Sequence, residues 1–298
     1  MRTMRQPATD HQARALSSAL WLRAARRSID ALDARLLLQA VTRQTHAELM
    51  THPESMLSPA EQEHLDALLH RRASGEPLAY LLGSADFHGR RFQVSPAVLV
   101  PRPETEELAA LALSKLARFP GAVRVLDLGT GSGVLAVTLS LEHPAAELVA
   151  VDLSTEALKV ARANAATLGA SVRFLESDWF LALADERFHL IVANPPYIAA
   201  DDAHLEGDGL CFEPRQALIG GADGLAAIRV IISAAPAHLH PGGWLLFEHG
   251  WNQGADARAL LAAAGFDSAR TWRDLSGQER ISGGRMPGIT AQESNPRR

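Results

Sequence analysis

The stretch Ile191-Val192-Ala193-Asn194-Pro195-Pro196-Tyr197 is a short apolar run that ends abruptly in Asn-Pro-Pro-Tyr. A buried strand cannot continue through two consecutive prolines, because neither ring nitrogen carries a hydrogen for the sheet ladder. The prolines therefore predict a rigid loop at the carboxyl edge of a sheet. Open α/β folds bind their ligands at that edge.

The predicted loop carries groups that suit a substrate NH2 group. The side-chain oxygen of Asn194 and the carbonyl of Pro195 are two acceptors with a fixed direction, and Tyr197 offers a flat face to a planar group. Two such acceptors can hold the hydrogens of an amide or exocyclic amine, localise its delocalised lone pair and point it at an electrophile. Taken alone, the four residues also fit a turn without a chemical role.

A second apolar strand, Val125-Leu126-Asp127-Leu128, leads into Gly129-Thr130-Gly131-Ser132-Gly133 at the predicted start of a helix. Glycines let the backbone turn tightly and let a ligand approach more closely than a Cβ atom would permit. The next strand ends in Asp152, about twenty residues further on, where it is placed to accept hydrogen bonds from both hydroxyls of a ribose. The third glycine comes one place earlier than in the dinucleotide fingerprint, so the pattern favours an adenosyl ligand over a pyrophosphate. A coincidental Gly-rich turn is the alternative.

A third predicted strand is followed by Ser177-Asp178-Trp179. Asp178 is placed to accept a hydrogen bond from an adenine amino group, and Trp179 to lie on the purine face. A large aromatic residue at the end of a strand is equally consistent with ordinary core packing.

The N-terminal part of the chain has a helical pattern. Apolar residues recur at helical spacing between positions 11 and 74, which predicts a small all-α domain over residues 1–85. Ser58-Pro59-Ala60-Glu61 predicts the start of one of its helices, with an N-cap, a proline at the first helical position and an acidic first turn. Residues 86–104 are expected to form a hairpin around Gly89 and then a stiff linker.

From Val123 onward, strands alternate with helices, which predicts a mostly parallel sheet covered on both faces. We expect this α/β domain to span residues 105–285 and to end in an antiparallel hairpin around Gly277, before a disordered tail over residues 286–298. The predicted strands are 123–128, 147–152, 172–176, 189–194 and 243–248, and the predicted helices begin near Thr105 and cover 133–141, 155–168, 223–239 and 254–264.

The composition restricts the possible classes of protein. The 298 residues are 47% hydrophobic, but no apolar run approaches the roughly 20 residues of a membrane span, and the N-terminus lacks a secretory signal, so we expect a soluble, cytoplasmic protein. The single cysteine, Cys211, excludes an internal disulfide, and the twelve histidines show no HExxH pair, so no metal site is predicted. No heptad pattern calls for an oligomer, and a monomer is expected.

The charge is unevenly distributed along the chain. A net charge of -5 argues against stable binding of nucleic acid through bulk electrostatics. Residues 1–43 are nevertheless rich in arginine and carry a net positive charge, which suits either a partner with an acidic surface or solvated helix faces.

Together, the glycine stretch, Asp152, Asp178-Trp179 and the Asn-Pro-Pro-Tyr loop resemble the Rossmann-like class I methyltransferases that use S-adenosylmethionine, and Asn-Pro-Pro-Tyr resembles those that methylate planar NH2 groups. Further motifs resemble the HemK/PrmC family of peptide chain release factor glutamine N5-methyltransferases, over roughly residues 15–285. These motifs are Pro101-Arg102-Pro103-Glu104-Thr105-Glu106, Phe212-Glu213-Pro214 with Ala217-Leu218, Asp223-Gly224-Leu225, Asp274, Gly277, Glu279-Arg280 and Gly284-Arg285.

The resemblance implies that S-adenosylmethionine is the cofactor, S-adenosylhomocysteine the product, and the glutamine of the Gly-Gly-Gln motif in bacterial class I release factors the substrate. It implies cofactor contacts from Gly129, Thr130, Gly131, Ser132, Gly133, Asp152, Trp179 and Asn194, and substrate contacts from Asn194, Pro195, Pro196 and Tyr197. Asp178 is added as a candidate cofactor contact and Arg102, from the stiff linker, as a candidate substrate contact. Cys211 departs from the basic or polar residue expected before Phe212.

The expected reaction is in-line methyl transfer that needs neither a metal nor a covalent intermediate, with Asn194, Pro195 and Tyr197 as the catalytic residues. Glu104 and Glu106 are expected to stabilise a helix start. The alternatives are a ribosomal-protein glutamine methyltransferase, an adenine-N6 nucleic-acid methyltransferase that accepts a flipped base, and a non-enzymatic adenosyl-binding module that docks through its Arg-rich N-terminus.

Overall fold

The computed structural model describes residues 16–207 and 209–288, and it divides the chain into one compact unit that ends at Leu82 and another that begins at Gly83. The predicted disordered tail lies outside the described residues, except for its first three positions, as do the first fifteen residues with Arg2, Arg5 and Arg14. In the part of the chain that the structure describes, no helix is both long enough and apolar enough to cross a bilayer.

The first unit is built from five helices around an apolar core of its own. The core contains the fully buried side chains Trp21, Leu37, Leu38 and Leu65. The helices are α1 (Ser18–Ala25), α2 (Ala31–Thr42), α3 (His46–Thr51), α4 (Pro59–Ala73) and α5 (Leu78–Leu82).

The predicted start of α4 is confirmed by its capping geometry. The Ser58 hydroxyl accepts a hydrogen bond from the Glu61 amide at 3.2 Å, and the Glu61 carboxylate accepts one from the Ser58 amide at 2.7 Å. Pro59 occupies the first helical position. This reciprocal pair satisfies backbone donors that every helix start leaves open.

The second unit contains two sheets and six helices among the described residues. A hairpin of β1 (Ser84–Phe87) and β2 (Arg90–Gln93) turns at Gly89, as predicted. The remaining strands form one seven-stranded sheet. The other elements are α6 (Pro103–Leu116), β3 (Val123–Leu128), α7 (Val134–Glu142), β4 (Ala146–Asp152), α8 (Thr155–Leu168), β5 (Val172–Glu176), β6 (Phe188–Ala193), α9 (Arg215–Leu218), α10 (Ala226–Ala234), β7 (Leu239–Glu248), α11 (Gly254–Ala263), β8 (Asp267–Arg273) and β9 (Glu279–Arg285).

The large sheet has the strand order β5-β4-β3-β6-β7-β9-β8. The first five strands in this order are parallel, and β9 runs antiparallel to both β7 and β8. This arrangement confirms the predicted α/β fold with a closing antiparallel hairpin. After β3 the chain builds outward to β4 and β5, and then returns to place β6 on the other side of β3. The carboxyl ends of β3 and β6 therefore flank a topological switch point, where open α/β sheets bind ligands.

Alternate residues of the central strands pack on opposite faces of the sheet. Val125 and Val192 pack with α6 and α7, whereas Leu126 and Ile191 pack with α10 and α11. This alternation follows from the two-residue period of a strand. Because both faces are covered by helices, the strands are apolar almost throughout, as the sequence predicted.

Several element boundaries differ from the predictions, and those of α6, β7 and α10 differ most. Helix α6 begins at Pro103 rather than near Thr105, because a proline is already fixed in a helical φ at the first position. Strand β7 begins at Leu239 and passes through Pro241-Gly242-Gly243, which its pairing with β6 accommodates by a register shift. Helix α10 covers Ala226–Ala234 rather than 223–239, and a short 3-10 turn, Ala235–His238, continues from it through Pro236.

Candidate active site

A cleft lies at the carboxyl edge of the sheet and collects most of the predicted site residues. It is lined by the glycine stretch after β3, by the end of β4, by the segment after β5 and by the start of the loop after β6. Its lining residues are Ala97, Val98, Leu99, Pro101, Arg102, Thr105, Gly129, Thr130, Gly131, Ser132, Val134, Leu135, Asp152, Leu153, Ser154, Ala157, Ser177, Asp178, Trp179, Asn194, Pro196, Pro214, Gln216 and Ala217.

Three predicted site residues, Gly133, Pro195 and Tyr197, are not part of this lining. Pro195 is buried within the loop after β6, and the Tyr197 side chain turns away to a buried partner. The structure therefore brings Asn194 and Pro196 to the cleft wall and uses Tyr197 to anchor the loop behind it.

The glycine stretch needs its glycines for distinct reasons. Gly129, Gly131 and Gly133 all have positive φ angles, of 70°, 56° and 85°, which side-chain-bearing residues rarely adopt. A Cβ atom on Gly133 would lie 3.1 Å from the Cβ atom of Ala161 in α8, so this glycine permits close packing of the helix. A Cβ atom on Gly131 would meet nothing within 4 Å, which leaves open space beside the backbone on the cleft wall.

Asp127, near the end of β3, forms a hydrogen bond to the glycine stretch. One carboxylate oxygen accepts hydrogen bonds from the Thr130 hydroxyl at 2.7 Å and from the Ala136 amide at 3.2 Å. The other oxygen is buried and has no partner among the described residues. Burial raises the pKa of Asp127 to about 7, against the opposing effect of these hydrogen bonds.

Asp152 stands at the end of β4 with its carboxylate partly open to the cleft. One oxygen accepts a hydrogen bond from the Gly131 amide at 2.8 Å and the other from the Ser154 amide at 2.9 Å. Burial raises the pKa of this carboxyl above its ordinary value, and the backbone donors oppose that shift. Each oxygen keeps a further lone pair, so the carboxylate can still accept hydrogen bonds from two hydroxyls.

Asp178 and Trp179 lie on the same cleft wall, after β5. Asp178 is exposed, whereas Trp179 is half-buried and packs against the apolar core on one side. The Trp179 ring lies beside Gly129, where an added Cβ atom would be 3.6 Å away. Both alternatives raised for Trp179 therefore describe part of its position, because the ring packs on the core and also borders the cleft.

The Asn194 side chain has a defined orientation in the cleft. Its amide nitrogen donates to the Thr105 hydroxyl at 3.0 Å. Within residues 16–207 and 209–288, no hydrogen-bond donor is paired with the Asn194 side-chain oxygen or with the Pro195 carbonyl. Neither of these two acceptors in adjacent residues is therefore occupied by another described group.

Glu248, at the end of β7, connects the residues of this loop. Its carboxylate accepts a hydrogen bond from the Thr105 hydroxyl at 2.7 Å and from the Tyr197 hydroxyl at 3.1 Å. The residue is 1% exposed, and burial raises its pKa to about 7. Burial also raises the pKa of the Tyr197 phenol, beside the Glu248 carboxylate, so that the tyrosine keeps its proton.

The loop is also held through its backbone. The Gln253 side chain donates to the Tyr197 carbonyl at 3.0 Å, and Ile198 exchanges backbone hydrogen bonds of 2.9 Å with the segment at Leu218 and Gly220. A Cβ atom on Gly224 would lie 2.3 Å from the Tyr197 carbonyl oxygen. The motif Asp223-Gly224-Leu225 therefore contains a glycine because the loop backbone packs directly against it.

Arg102 is placed at the cleft by an ion pair. Its guanidinium contacts the buried carboxylate of Glu213, which also accepts a hydrogen bond from the Val100 amide at 2.9 Å. The predicted stiff linker is thereby tied to the segment that precedes α9, and both line the cleft. Cys211 is exposed, in a 3-10 turn just before that segment.

Sequence reasoning missed Thr105 and Glu248 as members of the site. Thr105 was noted only as part of a motif and as a predicted helix start, and Glu248 only as the end of a predicted strand. A usable signal was present, because Glu248 follows four apolar residues at the carboxyl end of a parallel strand, as Asp152 and Asn194 also do. Among the described residues, no group of three or more His, Cys, Asp or Glu side chains is arranged to hold a metal ion.

Two protein-family models together match more than half of the chain. The model described as PrmC N-terminal domain matches residues 15–83, and the model described as Methyltransferase small domain matches residues 106–207. The first match covers the helical unit, and the second covers the glycine stretch, Asp152 and the Asn-Pro-Pro-Tyr loop.

Solved structures share a fold with much of this chain. The Thermus thermophilus 16S rRNA N2 G1207 methyltransferase, in complex with AdoMet and guanosine, superposes with a TM-score of 0.51 at 23% identity, over 68% of this chain and 49% of that chain. A methyltransferase from Pyrococcus furiosus gives a TM-score of 0.51 at 18% identity, over 78% of this chain and 100% of that chain. At these identities the similarity shows a shared methyltransferase fold.

Much closer similarity is found in sequence. A release factor glutamine methyltransferase from Bordetella pertussis is 50% identical over 254 residues, which are 85% of this chain and 94% of the relative. The protein of that name from Escherichia coli is 42% identical over 271 residues, which are 89% of this chain and 97% of the relative. The chain therefore belongs to the release factor glutamine methyltransferase family, whose members are methyltransferases with this α/β fold.

Proposed function

We propose that this protein transfers a methyl group from S-adenosylmethionine to the side-chain amide nitrogen of the glutamine in the Gly-Gly-Gln motif of bacterial class I release factors. The names of the relatives support the substrate. The chemistry is carried by one observation, the Asn194 amide whose nitrogen is bound to Thr105 and whose oxygen remains available at the cleft.

The cleft fits an adenosyl cofactor in three respects. The absent side chain of Gly131 leaves open space against the backbone, the partly open carboxylate of Asp152 can accept from two ribose hydroxyls, and the Trp179 ring offers a flat apolar wall. Asp178 is an exposed acceptor on the same wall. When bound there, S-adenosylmethionine supplies an electrophilic methyl group on a positively charged sulfur.

The residues of the Asn-Pro-Pro-Tyr loop are proposed to bind and orient the substrate amide. Asn194, through its side-chain oxygen, and Pro195, through its carbonyl, each accept one N–H hydrogen of the glutamine NH2 group. With both hydrogens held, the nitrogen lone pair points away from the loop and into the cleft. Pro196 and Arg102 also line the cleft. The proton that the nitrogen gives up after alkylation passes to water.

Recognition of the release factor is proposed to extend beyond the glutamine. The helical unit that ends at Leu82 carries exposed arginines, Arg23, Arg26 and Arg27, for which no ion pair is formed with any described residue. Such a surface suits an acidic region of a protein partner. We propose that the protein acts as a cytoplasmic monomer without stable binding of nucleic acid.

The decisive experiment measures the transfer of labelled methyl from S-adenosylmethionine to four acceptors. These are purified release factor, the same factor with its Gly-Gly-Gln glutamine changed to alanine, ribosomal subunits, and duplex DNA. We expect label on the unaltered release factor only.

The matched variant is Asn194→Ala, which is expected to abolish transfer while the dissociation constant for S-adenosylmethionine changes less than about threefold, because the cofactor is held chiefly elsewhere. Label on ribosomal subunits or DNA instead of release factor would overturn the substrate assignment. Near-normal turnover by Asn194→Ala would overturn the role of the two acceptors.

A further inference from the structure

We infer that Glu248 is a positioning residue, which dictates through the Thr105 hydroxyl that the Asn194 amide presents its oxygen, and not its nitrogen, to the substrate. The inference rests on the proposed function, because it explains how the acceptor side of Asn194 is selected. Glu248 lies behind the loop and touches neither the cleft nor the substrate directly.

The selection follows from counting hydrogens along the chain of contacts. An ionised carboxylate can only accept hydrogen bonds, and a threonine hydroxyl has a single hydrogen to give. At 2.7 Å from Glu248, the Thr105 hydroxyl must therefore donate to the carboxylate. Only its lone pairs remain for Asn194, which lies 3.0 Å away and must turn its NH2 group toward Thr105.

The same carboxylate fixes the other end of the loop. Its second oxygen accepts a hydrogen bond from the Tyr197 hydroxyl at 3.1 Å. The two prolines between Asn194 and Tyr197 have restricted φ angles, so a loop that is held at both ends has little freedom between them. Glu248 thereby positions the Asn194 oxygen and the Pro195 carbonyl with a single buried group.

The inferred mechanism makes the orientation of Asn194 depend on the charge of Glu248. The groups that face its carboxylate are Thr105 and Glu104 from α6, Tyr197 from the loop, and Arg280 from β9. Burial and Glu104 raise its pKa, and Arg280 and the two hydroxyls lower it, with a result of about 7. Once protonated, the carboxyl can donate to Thr105, whose hydrogen is then free to turn toward Asn194 and stabilise the flipped amide.

The test compares Glu248→Gln, Thr105→Val and Thr105→Ser with the unaltered protein, at saturating S-adenosylmethionine and release factor. We expect Glu248→Gln and Thr105→Val to lower kcat by about 100-fold, the effect typical of a misplaced substrate group. Thr105→Ser keeps the hydroxyl and is expected to restore kcat to within a few-fold. The affinity for S-adenosylmethionine should stay unchanged in Glu248→Gln, because Glu248 does not line the cleft.

The pH profile separates this role from a purely structural one. We expect kcat of the unaltered protein to fall as the pH is lowered through about 7, because protonated Glu248 no longer enforces the orientation of Asn194. Glu248→Gln should lack this acid limb. A variant that retains normal kcat and a normal acid limb would overturn the inference.

A second readout does not depend on activity. In the cofactor-bound protein, the side-chain NH2 resonances of Asn194, identified by their loss in Asn194→Asp, should shift as the pH passes through about 7 and stay constant in Glu248→Gln. Absence of that shift in the unaltered protein would overturn the inference. If the shift occurs but release factor is not methylated, the result supports the positioning role of Glu248 and contradicts the proposed substrate.

Discussion

The guanidinium of Arg102 is paired with the carboxylate of Glu213, whose side chain is only 1% exposed. The pair joins the linker before α6 to the segment before α9, and residues of both line the cleft. Arg102 therefore contributes to the shape of the cleft wall as well as to its charge. Loss of the Glu213 carboxylate leaves the Arg102 guanidinium, whose side chain is 33% exposed, without the partner that holds it at the cleft.

We expect Glu213→Gln to lower the unfolding free energy by about 1–3 kcal/mol, since the neutral side chain leaves Arg102 unpaired. The affinity for S-adenosylmethionine should also fall, because the linker before α6, which lines the cleft, is no longer held by the Arg102–Glu213 ion pair. Urea denaturation and titration calorimetry provide the two measurements. Glu156→Gln, which breaks the exposed Lys159 pair, serves as the control and should change neither value by much. Equal effects of the two substitutions would contradict the structural role of the Arg102–Glu213 pair.

Asp152→Ala is expected to weaken the binding of S-adenosylmethionine by at least about 10-fold, since a hydrogen bond to a charged group contributes on the order of 1.5–3 kcal/mol. The loss has a second source, because the Asp152 carboxylate also holds the Gly131 amide at 2.8 Å. The matched control is Glu176→Ala. Glu176 is an exposed residue of β5 that lies opposite Asp152 in the β4–β5 strand register. Calorimetric affinities that are the same for both variants would exclude Asp152 from the cofactor site.

Gly224→Ala tests how tightly the Asn-Pro-Pro-Tyr loop is packed. The substitution adds both a strained φ of +75° and a Cβ atom 2.3 Å from the Tyr197 carbonyl oxygen. Gly169→Ala, at the end of α8, has a similar φ of +76° but no atom within 4 Å of the added Cβ. Each should lose about 1–2 kcal/mol to backbone strain, but only Gly224→Ala should also lose methyl transfer. Turnover that is unaffected in Gly224→Ala would show that the loop tolerates displacement.

Asp127→Asn should change how stability depends on pH. The folded protein raises the Asp127 pKa to about 7, so between its ordinary pKa and 7 the folded state retains a proton that the unfolded state has lost. The contribution of this group to the unfolding free energy therefore falls as the pH rises through that window, and is constant above it. The variant lacks this pH-dependent contribution. The substitution should therefore lower the unfolding free energy more at pH 5 than at pH 8.

Denaturation of the cofactor-free proteins at both pH values measures this difference. Glu248 also has a raised pKa, but it is present in both proteins and its contribution cancels. A destabilisation that does not change with pH would show that Asp127 is ionised throughout.

The fold of the second unit could be predicted because its signals are local. The apolar runs that became β3 and β6 end at Gly129 and Asn194, and a buried strand of a parallel sheet has few alternatives with that pattern. The boundary of β7 was less predictable. Pro241-Gly242-Gly243 is a turn signal in sequence, and only the pairing with β6 shows that a register shift carries the strand through it.

The partners of the site residues could not be predicted by the same reasoning. Thr105, Asn194 and Glu248 are distant in sequence, and their contact depends on the strand order and on side-chain directions that no local pattern specifies. The same holds for Arg102, whose position at the cleft was expected but whose pairing with Glu213 was not. The roles of the glycine stretch, Asp152 and the Asn-Pro-Pro-Tyr loop stay predictions that the experiments above address.

The wide separation of Thr105, Asn194 and Glu248 has a consequence for the synthesis of the protein. Glu248 ends the strand that β9 completes by antiparallel pairing, with Glu248 opposite Ile281. A nascent chain that has emerged only as far as the Asn-Pro-Pro-Tyr loop therefore lacks the group that orients Asn194. Methyl transfer should therefore begin only after β7, and the strand β9 that pairs with it, have been synthesised and have left the ribosome.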